Sequence, residues 1–344
     1  MSEVALYRKY RPESLKDVVG QEHIIQVLEA QIKSETPAHA YLFAGSRGTG
    51  KTTLARIVAK ELGSDWKDIQ EIDAASNTGV DDIKAILENV FILPFESKYR
   101  VYIIDEVHML SKHAFNALLK TLEEPPKHVI FILATTEEHK LPETVISRCQ
   151  SFKFKRPTES ELRDRLSYIA KKEGYAVDQA SLSLIALLGE GSFRDAIGIL
   201  EQVISVSKDK KVTIDEVEKI TGAPSITLVH DLIKEVLDQS TDKALEILYK
   251  VQSKNLEVKI FAKLLLQTIR YTMLVAYAPE LKKEISGRVT DPDMKFFEEI
   301  SKHPNAKILP AFLKEIIATY GDIDNAYIKS LPLELAITKV SKLD

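Results

Sequence analysis

The chain has 344 residues, more than a single hydrophobic core usually organises, so we expect two or three domains. Its formal net charge of −4 excludes a protein that coats nucleic acid through bulk positive charge, so any nucleic-acid contact must be local. The 44% of hydrophobic and 28% of charged residues are typical of a soluble globular protein.

Cysteine content favours a reduced compartment, and hydropathy disfavours secretion and membrane insertion. Cys149 is the only cysteine, so it has no intramolecular disulfide partner and cannot by itself hold a zinc ion. The N-terminal residues contain no apolar run of signal-peptide length, and no stretch approaches the roughly 18 to 20 apolar residues that span a bilayer. We therefore expect a cytoplasmic protein without membrane partners.

The first half of the chain alternates between strand-like and helical patterns. Its short apolar runs, rich in β-branched and aromatic residues, cover residues 41–45, 69–74, 101–105 and 129–136. Helical patterns separate these runs, which is the βαβ signature of a parallel sheet. One predicted helix has Ser111 as its N-cap and ends before Pro125. We expect residues 1–155 to form an α/β domain.

Amphipathic helices replace the strand-like runs after Phe154. Thr158 and Glu161 form a predicted capping box, Gly174 is typical of a helix end, and Ser192 is a candidate N-cap. The rest of the chain is therefore expected to be helical.

The helical part divides at a turn. Residues 221–225, TGAPS, are turn-like, and after them Leu, Ile and Val recur at spacings of three and four through Val340. We expect a small helical domain over residues 156–221 and a separate all-helical domain over residues 222–344.

A glycine-rich motif joins the first predicted strand to a helical pattern. Its sequence, GSRGTGKTT, fits G-x-x-x-x-G-K-[ST] in full. Glycines let backbone N–H groups curl around phosphates, Lys51 reaches the β- and γ-phosphates, and Thr52 holds Mg²⁺. A glycine-rich turn with a solvated lysine is the alternative, which the flanking strand and helix disfavour. The motif predicts a nucleoside triphosphate site built from Gly45, Ser46, Arg47, Gly48, Thr49, Gly50, Lys51, Thr52 and Thr53.

Two adjacent carboxylates end the third predicted strand, VYIIDE. In P-loop enzymes the first acid at this strand end lies near the metal, so we expect Asp105 to bind Mg²⁺ through water. Glu106 is expected to orient or deprotonate the attacking water. Solvated acids at a strand end are the ordinary alternative, which the upstream phosphate motif makes improbable. We interpret His108 as a packing or hydrogen-bonding residue rather than a metal ligand.

Three further polar residues are candidates for the reaction. Thr136, like Thr135 before it, either contacts the γ-phosphate or its water or makes local hydrogen bonds. Arg148 lies far enough beyond the sheet edge to reach a neighbour's nucleotide as a trans-acting arginine finger, although most arginines are solvated or structural. Arg194, at a predicted helix start, is either a phosphate contact or a salt-bridge partner.

Six strings along the chain match one family of proteins. They are YRKYRPESLKDVVGQEHI, FAGSRGTGKTTLARIVAKEL, EIDAASNTGVDDIK, VYIIDEVHMLSKHAFNALLKTLEEPP, LATTEEHKLPETVISRCQSFKF and GEGSFRDAIGILEQ. Together they resemble the gamma/tau subunits of bacterial DNA polymerase III clamp loaders over nearly the whole chain. The resemblance implies an α/β P-loop AAA+ domain with a parallel sheet, then a small helical lid domain and an all-α collar domain through which subunits oligomerise.

The resemblance also implies roles for single residues and a need for ATP and Mg²⁺. Lys51 would be the Walker A lysine, with Asp105 and Glu106 as the Walker B acids. By the same resemblance, sensor 1, the trans-acting finger and sensor 2 would be Thr136, Arg148 and Arg194. The N-terminal residues that would help enclose the adenine are Tyr7, Arg8, Tyr10, Arg11, Pro12, Val18 and Val19.

Two departures from the family pattern stand out. The four-cysteine zinc module that usually precedes the EIDAAS strand is absent, so we expect no zinc. Small subunits of archaeal and eukaryotic clamp loaders also lack this module, and they remain an alternative relationship, although the SKHAFNALLKTLEEPP string looks bacterial. The 344 residues also end near the last collar-like helices and do not include the long tail of the tau form.

The implied function is ATP-driven loading of a sliding clamp onto primed DNA. The implied partners are delta- and delta-prime-like subunits, the clamp, primed DNA and the polymerase holoenzyme. The resemblance suggests that the helix start near Ser111 and the loop at residues 76–82, with Asn77 and Gly79, face duplex phosphates. A structural clamp-loader subunit with little turnover is an alternative that the intact Walker residues disfavour. A DExH helicase would need later arginine motifs that the sequence does not contain.

Overall fold

The computed structural model describes residues 4–76, 89–207, 209–286 and 289–341. The loop expected to face DNA phosphates, with Asn77 and Gly79, lies outside the described residues except for Ser76. The chain divides into two compact units: unit 1, Met1–Arg165 with Gly189–Gly198, and unit 2, Leu166–Leu188 with Ile199–Asp344. This division differs from the three expected domains, whose boundaries at 155/156 and 221/222 stay a prediction.

Unit 1 is built on a five-stranded parallel sheet. Its strands are β1 (Ala40–Ala44), β2 (Ile69–Asp73), β3 (Arg100–Asp105), β4 (Val129–Thr135) and β5 (Gln150–Lys153). The strand order is β2-β3-β4-β1-β5, and every neighbouring pair is parallel. The carboxyl ends of β3, β4 and β1 are therefore adjacent at one edge, where open α/β sheets bind their ligands.

Helices connect the strands and continue to the end of the chain. The first helices are α1 (Leu6–Lys9), α2 (Glu22–Lys33), α3 (Lys51–Glu61), α4 (Lys112–Glu123) and α5 (Glu143–Ile146). Two later helices contribute residues to both units, namely α6 (Glu159–Lys172) and α8 (Phe193–Val206). The helices of unit 2 are α7 (Gln179–Leu188), α9 (Ile214–Thr221), α10 (Ile226–Leu237), α11 (Thr241–Ser253), α12 (Val258–Tyr277), α13 (Lys282–Ser286), α14 (Asp291–Ser301), α15 (Leu309–Tyr320) and α16 (Leu331–Val340).

The sheet of unit 1 is covered on both faces. Successive side chains of a strand point to opposite faces, so neighbouring residues of β3 enter different cores. Tyr102 packs in one core with Leu118 of α4, and Ile103 packs in the other with Leu54 of α3. Burial on both faces explains why the central strands are continuous apolar runs rather than alternating ones.

The four predicted strands are confirmed to within one residue at each end. The fifth strand, β5, has no counterpart among the predicted runs, because Phe152 is its one buried residue and no apolar run marks it. The expectation that strands cease after Phe154 is wrong at one place, where β6 (Ala176–Val177) pairs with β7 (Lys211–Val212). Two-residue strands are too short to produce a hydrophobic pattern.

The predicted helix ends rest on the expected capping contacts. Ser111 Oγ accepts a hydrogen bond from the Ala114 N–H at 3.2 Å, and α4 ends at Glu123. The Thr158 N–H donates to Glu161 Oε2 at 2.7 Å, while the Glu161 N–H donates to Thr158 Oγ1 at 3.2 Å, which completes the capping box.

Unit 2 packs around a long helix. Helix α12 contacts α10, α14 and α15. The fully buried aromatic residues Phe261 on α12 and Phe312 on α15 anchor this core. Apolar burial along several helices explains the recurring spacing of three and four in the sequence.

Candidate active site

The glycine-rich loop follows β1 and ends where α3 begins. Gly50 is the N-cap of α3 with a φ of 96°, and Gly48 has a φ of 74°. A Cβ atom on Gly48 would lie 1.9 Å from Ser192 Oγ, and the Phe193 N–H donates a hydrogen bond to the Gly48 carbonyl at 3.1 Å. Glycine is therefore required at position 48 by backbone conformation and by the close approach of the α8 start.

Lys51 is buried at the first turn of α3. Its side chain is 6% exposed, and Nζ donates hydrogen bonds to the carbonyls of Gly45 at 2.8 Å and Ser46 at 3.0 Å. Burial lowers the pKa of Lys51, whereas the nearby carboxylates of Glu106 and Asp105 act to raise it. The ammonium group is thus held between the loop and the strand that carries the carboxylates.

The end of β3 brings a hydroxyl and a carboxylate together. Thr52 Oγ1 donates a hydrogen bond to Asp105 Oδ2 at 2.6 Å, and Asp105 Oδ1 accepts one from the Glu106 N–H at 3.0 Å. Both carboxylate oxygens of Asp105 are therefore fixed in orientation. A hydroxyl and a carboxylate are oxygen donors of the kind that Mg²⁺ prefers, so this pair fits the implied ion.

Glu106 and Thr136 also meet at this edge. Glu106 has a φ of 48° in the left-handed region, which places its side chain beside the end of β4. Thr136 donates two hydrogen bonds to Glu106 Oε2, from Oγ1 at 2.9 Å and from its backbone N–H at 3.3 Å. Left-handed backbone at a residue with a long side chain costs free energy, and such strain tends to occur at functional sites.

A cavity of about 270 Å³ lies beside these groups in unit 1. The predicted site residues that line it are Tyr7, Arg8, Tyr10, Arg11, Pro12, Val18, Val19, Arg47, Gly48, Thr49, Gly50, Lys51, Thr52, Thr53, Asp105, Glu106 and Arg194. Six of the lining side chains are arginine or lysine and three are carboxylates, so the wall is cationic although the whole chain is acidic. Its charge suits a polyanionic ligand.

Arg194 and the N-terminal segment form one wall of the cavity. The Arg194 guanidinium carbon lies 5.0 Å from the centre of the Tyr7 ring, and Arg8 Nε donates to the Tyr7 hydroxyl at 3.2 Å. Hydrogen bonding by Arg8, and to a smaller degree by Arg194, lowers the pKa of Tyr7. Arg11 lies nearby, and burial lowers its pKa.

Four predicted residues are not among those that line the cavity. Gly45 and Ser46 bind Lys51 through their carbonyl groups, and Thr136 contacts Glu106. Arg148 does not join the cluster within its own chain. Its Nη1 donates to the Thr144 carbonyl at 2.8 Å, and its Nη2 lies 2.7 Å from Glu123 Oε1.

Several residues near the site have no sequence signal that would have found them. Asp17, Arg165, Phe193 and Ile197 line the cavity, and Arg156 Nε donates to Ser46 Oγ at 3.2 Å. The chain brings Arg156 to the loop from 110 positions away in sequence, and no local pattern encodes such a long-range approach.

His108 and Cys149 are the residues for which the sequence argues against a role in metal binding. His108 Nδ1 lies 3.0 Å from Thr135 Oγ1, in agreement with a hydrogen-bonding residue. Burial raises the pKa of the Cys149 thiol to about 12. Within the described ranges, no three His, Cys, Asp or Glu side chains are grouped so as to hold a metal ion.

No helix in the described part of the chain has the length and apolar content that a membrane crossing requires.

Family models of DNA polymerase III subunits match successive parts of the chain. The model for "DNA polymerase III, delta subunit" matches residues 20–77 and 63–158. The model for "DNA polymerase III clamp loader subunit, ATPase lid domain" matches residues 161–209. The model for "DNA polymerase III subunits gamma and tau domain III" matches residues 212–343.

Curated relatives are similar over most of the chain. The chain is 39% identical to DNA polymerase III subunit tau of Bacillus subtilis, with 99% of this chain and 63% of the relative covered. It is 36% identical to subunit gamma of Buchnera aphidicola subsp. Schizaphis graminum, with 88% and 89% covered. For subunit tau of Escherichia coli the identity is 38%, with 75% and 43% covered. The chain thus spans less than two thirds of the two tau subunits.

A solved structure of the Thermotoga maritima RuvB Holliday junction branch migration motor is similar in fold. Its TM-score is 0.54 at 25% identity, and the match covers 66% of this chain and 79% of RuvB. The parallel five-stranded sheet with a P-loop after β1 is the AAA+ ATPase fold.

Proposed function

The chain belongs to the family of bacterial DNA polymerase III gamma and tau subunits, and we propose that it is an ATP-hydrolysing motor that loads a sliding clamp onto primed DNA. The convergence of Lys51, Thr52, Asp105 and Glu106 at one edge of the sheet carries this proposal. A buried ammonium group is costly unless it is paired and hydrogen-bonded, and here two carbonyl groups and the nearby carboxylates stabilise Lys51 beside the cavity. A subunit that only supports the assembly does not need this arrangement.

Nucleotide binding follows from the shape and charge of the cavity. Tyr10, Pro12 and Val18 offer the aromatic and apolar surface that encloses an adenine. The loop backbone and the start of α3 hold the phosphates, and Lys51 pairs with the β- and γ-phosphate oxygens. Arg194, which also lines the cavity, contacts the γ-phosphate and so distinguishes ATP from ADP.

Thr52 and Asp105 are the residues that would hold Mg²⁺, which would supply neutralisation of the charge on the β- and γ-phosphate oxygens. The hydrogen bonds from Thr52 and from the Glu106 N–H keep the Asp105 carboxylate in one orientation for this role.

Glu106 is the general base for hydrolysis. The carboxylate lines the cavity and accepts the proton of the attacking water. Thr136 donates both of its hydrogen bonds to Oε2, which fixes the carboxylate plane. The left-handed backbone at Glu106 belongs to the same arrangement, because it turns the side chain toward the end of β4.

Arg148 completes the site of a neighbouring subunit. In its own chain the guanidinium pairs with Glu123 and with a backbone carbonyl, away from the cavity. An arginine supplied by a neighbour stabilises the charge of the transition state, so hydrolysis depends on assembly. The collar that brings subunits together is formed by residues 222–344.

The assembly that this proposal requires is a cytoplasmic clamp loader. Delta- and delta-prime-like subunits, the sliding clamp, primed DNA and the polymerase holoenzyme are its partners. The N-terminus of α4 at Ser111 faces DNA phosphates, since a helix start attracts anions.

Two substitutions test the chemistry of the site. Lys51→Ala should abolish ATP turnover, because the phosphates lose their cation. Glu106→Gln should retain ATP binding and lose hydrolysis, because the amide cannot accept the proton. Lys60→Ala, on the exposed face of the same helix, is the matched control and should leave both properties unchanged. ATP binding and phosphate release are measured for each variant, and unchanged turnover in Lys51→Ala or Glu106→Gln would sink the assignment.

A further inference from the structure

His108 is a buried residue that the proposed hydrolysis mechanism does not yet use. It lies in the 3₁₀ turn Val107–Met109 directly after Glu106, and its side chain is 6% exposed. A buried imidazole needs hydrogen-bond partners for both ring nitrogens. The partners of the two nitrogens belong to different parts of the site.

The Nδ1 atom faces the reaction centre. It lies 3.0 Å from Thr135 Oγ1 and 3.4 Å from Glu106 Oε2. Thr135 Oγ1 also accepts a hydrogen bond from the Glu137 N–H at 3.0 Å, which fixes the hydroxyl at the end of β4. The imidazole is therefore positioned by its hydrogen bond with the Thr135 hydroxyl at the end of β4, and Nδ1 then lies within ion-pair distance of the Glu106 carboxylate.

The Nε2 atom faces a surface ion-pair cluster. It lies 3.5 Å from Glu137 Oε1, and Glu137 Oε2 pairs with Lys140 at 2.7 Å and with His139 at 3.7 Å. The hydrogen bond from Lys140 is the main cause of a lowered pKa of Glu137, which keeps that carboxylate charged. Nε2 of His108 thus faces the Glu137 carboxylate, whereas Nδ1 has the Thr135 hydroxyl as its hydrogen-bond partner and the Glu106 carboxylate at ion-pair distance.

The contacts of Glu106 are asymmetric. Its Oε2 atom receives both hydrogen bonds from Thr136 and the approach of His108 Nδ1. Within the part of the chain that the structure describes, Oε1 receives no hydrogen bond, and Glu106 lines the cavity. Oε2 is therefore held by Thr136, whereas Oε1 is free to accept a hydrogen bond from a water molecule.

We propose that His108, fixed by Thr135, is a positioning residue whose Nδ1 stabilises Oε2 of Glu106 electrostatically at 3.4 Å and so leaves Oε1 for the attacking water. This inference rests on the proposed ATP hydrolysis, because it assigns a support to the general base of that reaction. A displaced base lowers the rate of the chemical step and leaves nucleotide affinity unchanged, since His108 does not line the cavity.

Two near-isosteric variants separate this role from packing. In His108→Asn the side-chain amide reaches the place of Nδ1, and in His108→Gln it reaches the place of Nε2. We expect His108→Asn to keep most of the single-turnover rate. His108→Gln and His108→Ala should lose up to about 10²-fold, the cost of a misplaced group of roughly 1 Å. The nucleotide Kd should stay constant in all three.

A second measurement reads the position of Glu106 without hydrolysis. The Thr136 N–H donates to Glu106 Oε2, so its hydrogen exchange reports whether the carboxylate is held there. Exchange at Thr136 should accelerate in His108→Gln and His108→Ala and remain slow in His108→Asn. His39→Gln, an exposed histidine that precedes β1, is the control and should change neither the rate nor the exchange.

The outcomes separate this inference from the proposed function. A wild-type chain that binds ATP without hydrolysing it, in an assembled complex, contradicts the function, while Thr136 exchange still decides the role of His108. Equal Thr136 exchange in His108→Asn and His108→Gln, or equal single-turnover rates of these two variants in an active enzyme, overturns the positioning role.

Discussion

Unit 1 and unit 2 differ in what they bury. Among the described residues, the buried charged side chains are Lys51, Asp68 and Arg163, and all three belong to unit 1. The buried polar side chains of unit 2 are hydroxyl groups only, those of Ser181, Thr268, Thr272 and Ser330. Because a buried charge is costly unless it is paired or hydrogen-bonded, a fold keeps one only where it contributes to a binding site or fixes a loop.

Lys51 and Asp68 illustrate the two reasons. Lys51 lines the cavity, where its ammonium group donates hydrogen bonds to the carbonyls of Gly45 and Ser46. Burial would raise the pKa of Asp68, but hydrogen bonds from the backbone of Phe95, Glu96 and Ser97 outweigh it and lower the pKa. Substitutions at the cavity of unit 1 should therefore change the rate of ATP turnover, whereas substitutions in the core of unit 2 should change the free energy of unfolding.

The largest expected effect tests whether the site of unit 1 is complete within one chain. Arg148→Ala should lower ATP turnover on the order of 10³-fold, because the transition state of a neighbour loses its arginine. Glu123→Gln is the matched control, since it breaks the same intrachain ion pair and keeps the guanidinium. ATP turnover of each variant is measured in the assembled complex.

Mixed assemblies test whether this arginine acts in trans. Arg148→Ala chains keep a working cavity, and Lys51→Ala chains keep a working finger. Mixing the two inactive variants should restore part of the turnover. No recovery in mixed assemblies, or a Glu123→Gln variant as slow as Arg148→Ala, would count against the finger.

The next effect concerns the core of unit 2. Phe261→Ala should destabilise helix α12 by about 3–5 kcal/mol, because a large buried ring leaves a cavity. Hydrogen exchange of the α12 amides measures this loss. Tyr249→Ala, at an exposed site on α11, should cost less than about 0.5 kcal/mol. A Phe261→Ala variant with unaltered protection of α12 would contradict the assignment of this core.

The smallest effect is a pH dependence in unit 2. Burial lowers the pKa of His230, whose ring stacks on Phe296 at 3.7 Å, although the Asp293 carboxylate 3.5 Å from Nε2 acts in the opposite direction. The unfolded chain then binds a proton near pH 6.5 that the folded chain does not, so stability falls as the pH falls below about 6.5. The loss is at most about 1.4 kcal/mol per pH unit, the value for one proton.

The matched variant for this prediction is His230→Leu, which removes the titrating group. Urea unfolding followed by circular dichroism at several pH values should give a shallower pH dependence for the variant than for the wild type. Equal slopes for both chains would show that His230 binds its proton equally in the folded and unfolded states.

Sequence reasoning finds elements whose pattern is local. The strands that are buried on both faces are continuous apolar runs. Ser111 and Thr158 indicate helix starts, because their hydroxyl groups accept hydrogen bonds from backbone N–H groups within the first turn. Strand β5 is not predicted, because it lies at the edge of the sheet and Phe152 is its one buried residue. The two-residue strands of unit 2 are not predicted, because they form by pairing between distant segments and have no local periodicity.

The residues of the candidate site likewise divide into those with a local sequence pattern and those brought together only by the fold. The loop and the β3 carboxylates follow from spacing, since parallel strands deliver their ends to one edge. Other elements of the fold bring Arg156, Arg165 and Asp17 to the site, and no local pattern in the sequence predicts these long-range contacts. The contact of Glu106 with Thr136 likewise depends on tertiary structure, because β3 and β4 must pair to bring these two residues together.

The most direct test of the central claim is the rate of ATP hydrolysis by the assembled complex with and without primed DNA and sliding clamp. A clamp-loading motor should hydrolyse ATP faster when both are present than with either alone, and Glu106→Gln should remove the stimulated rate. A rate that is the same with and without primed DNA and clamp would contradict the proposal that this site drives clamp loading.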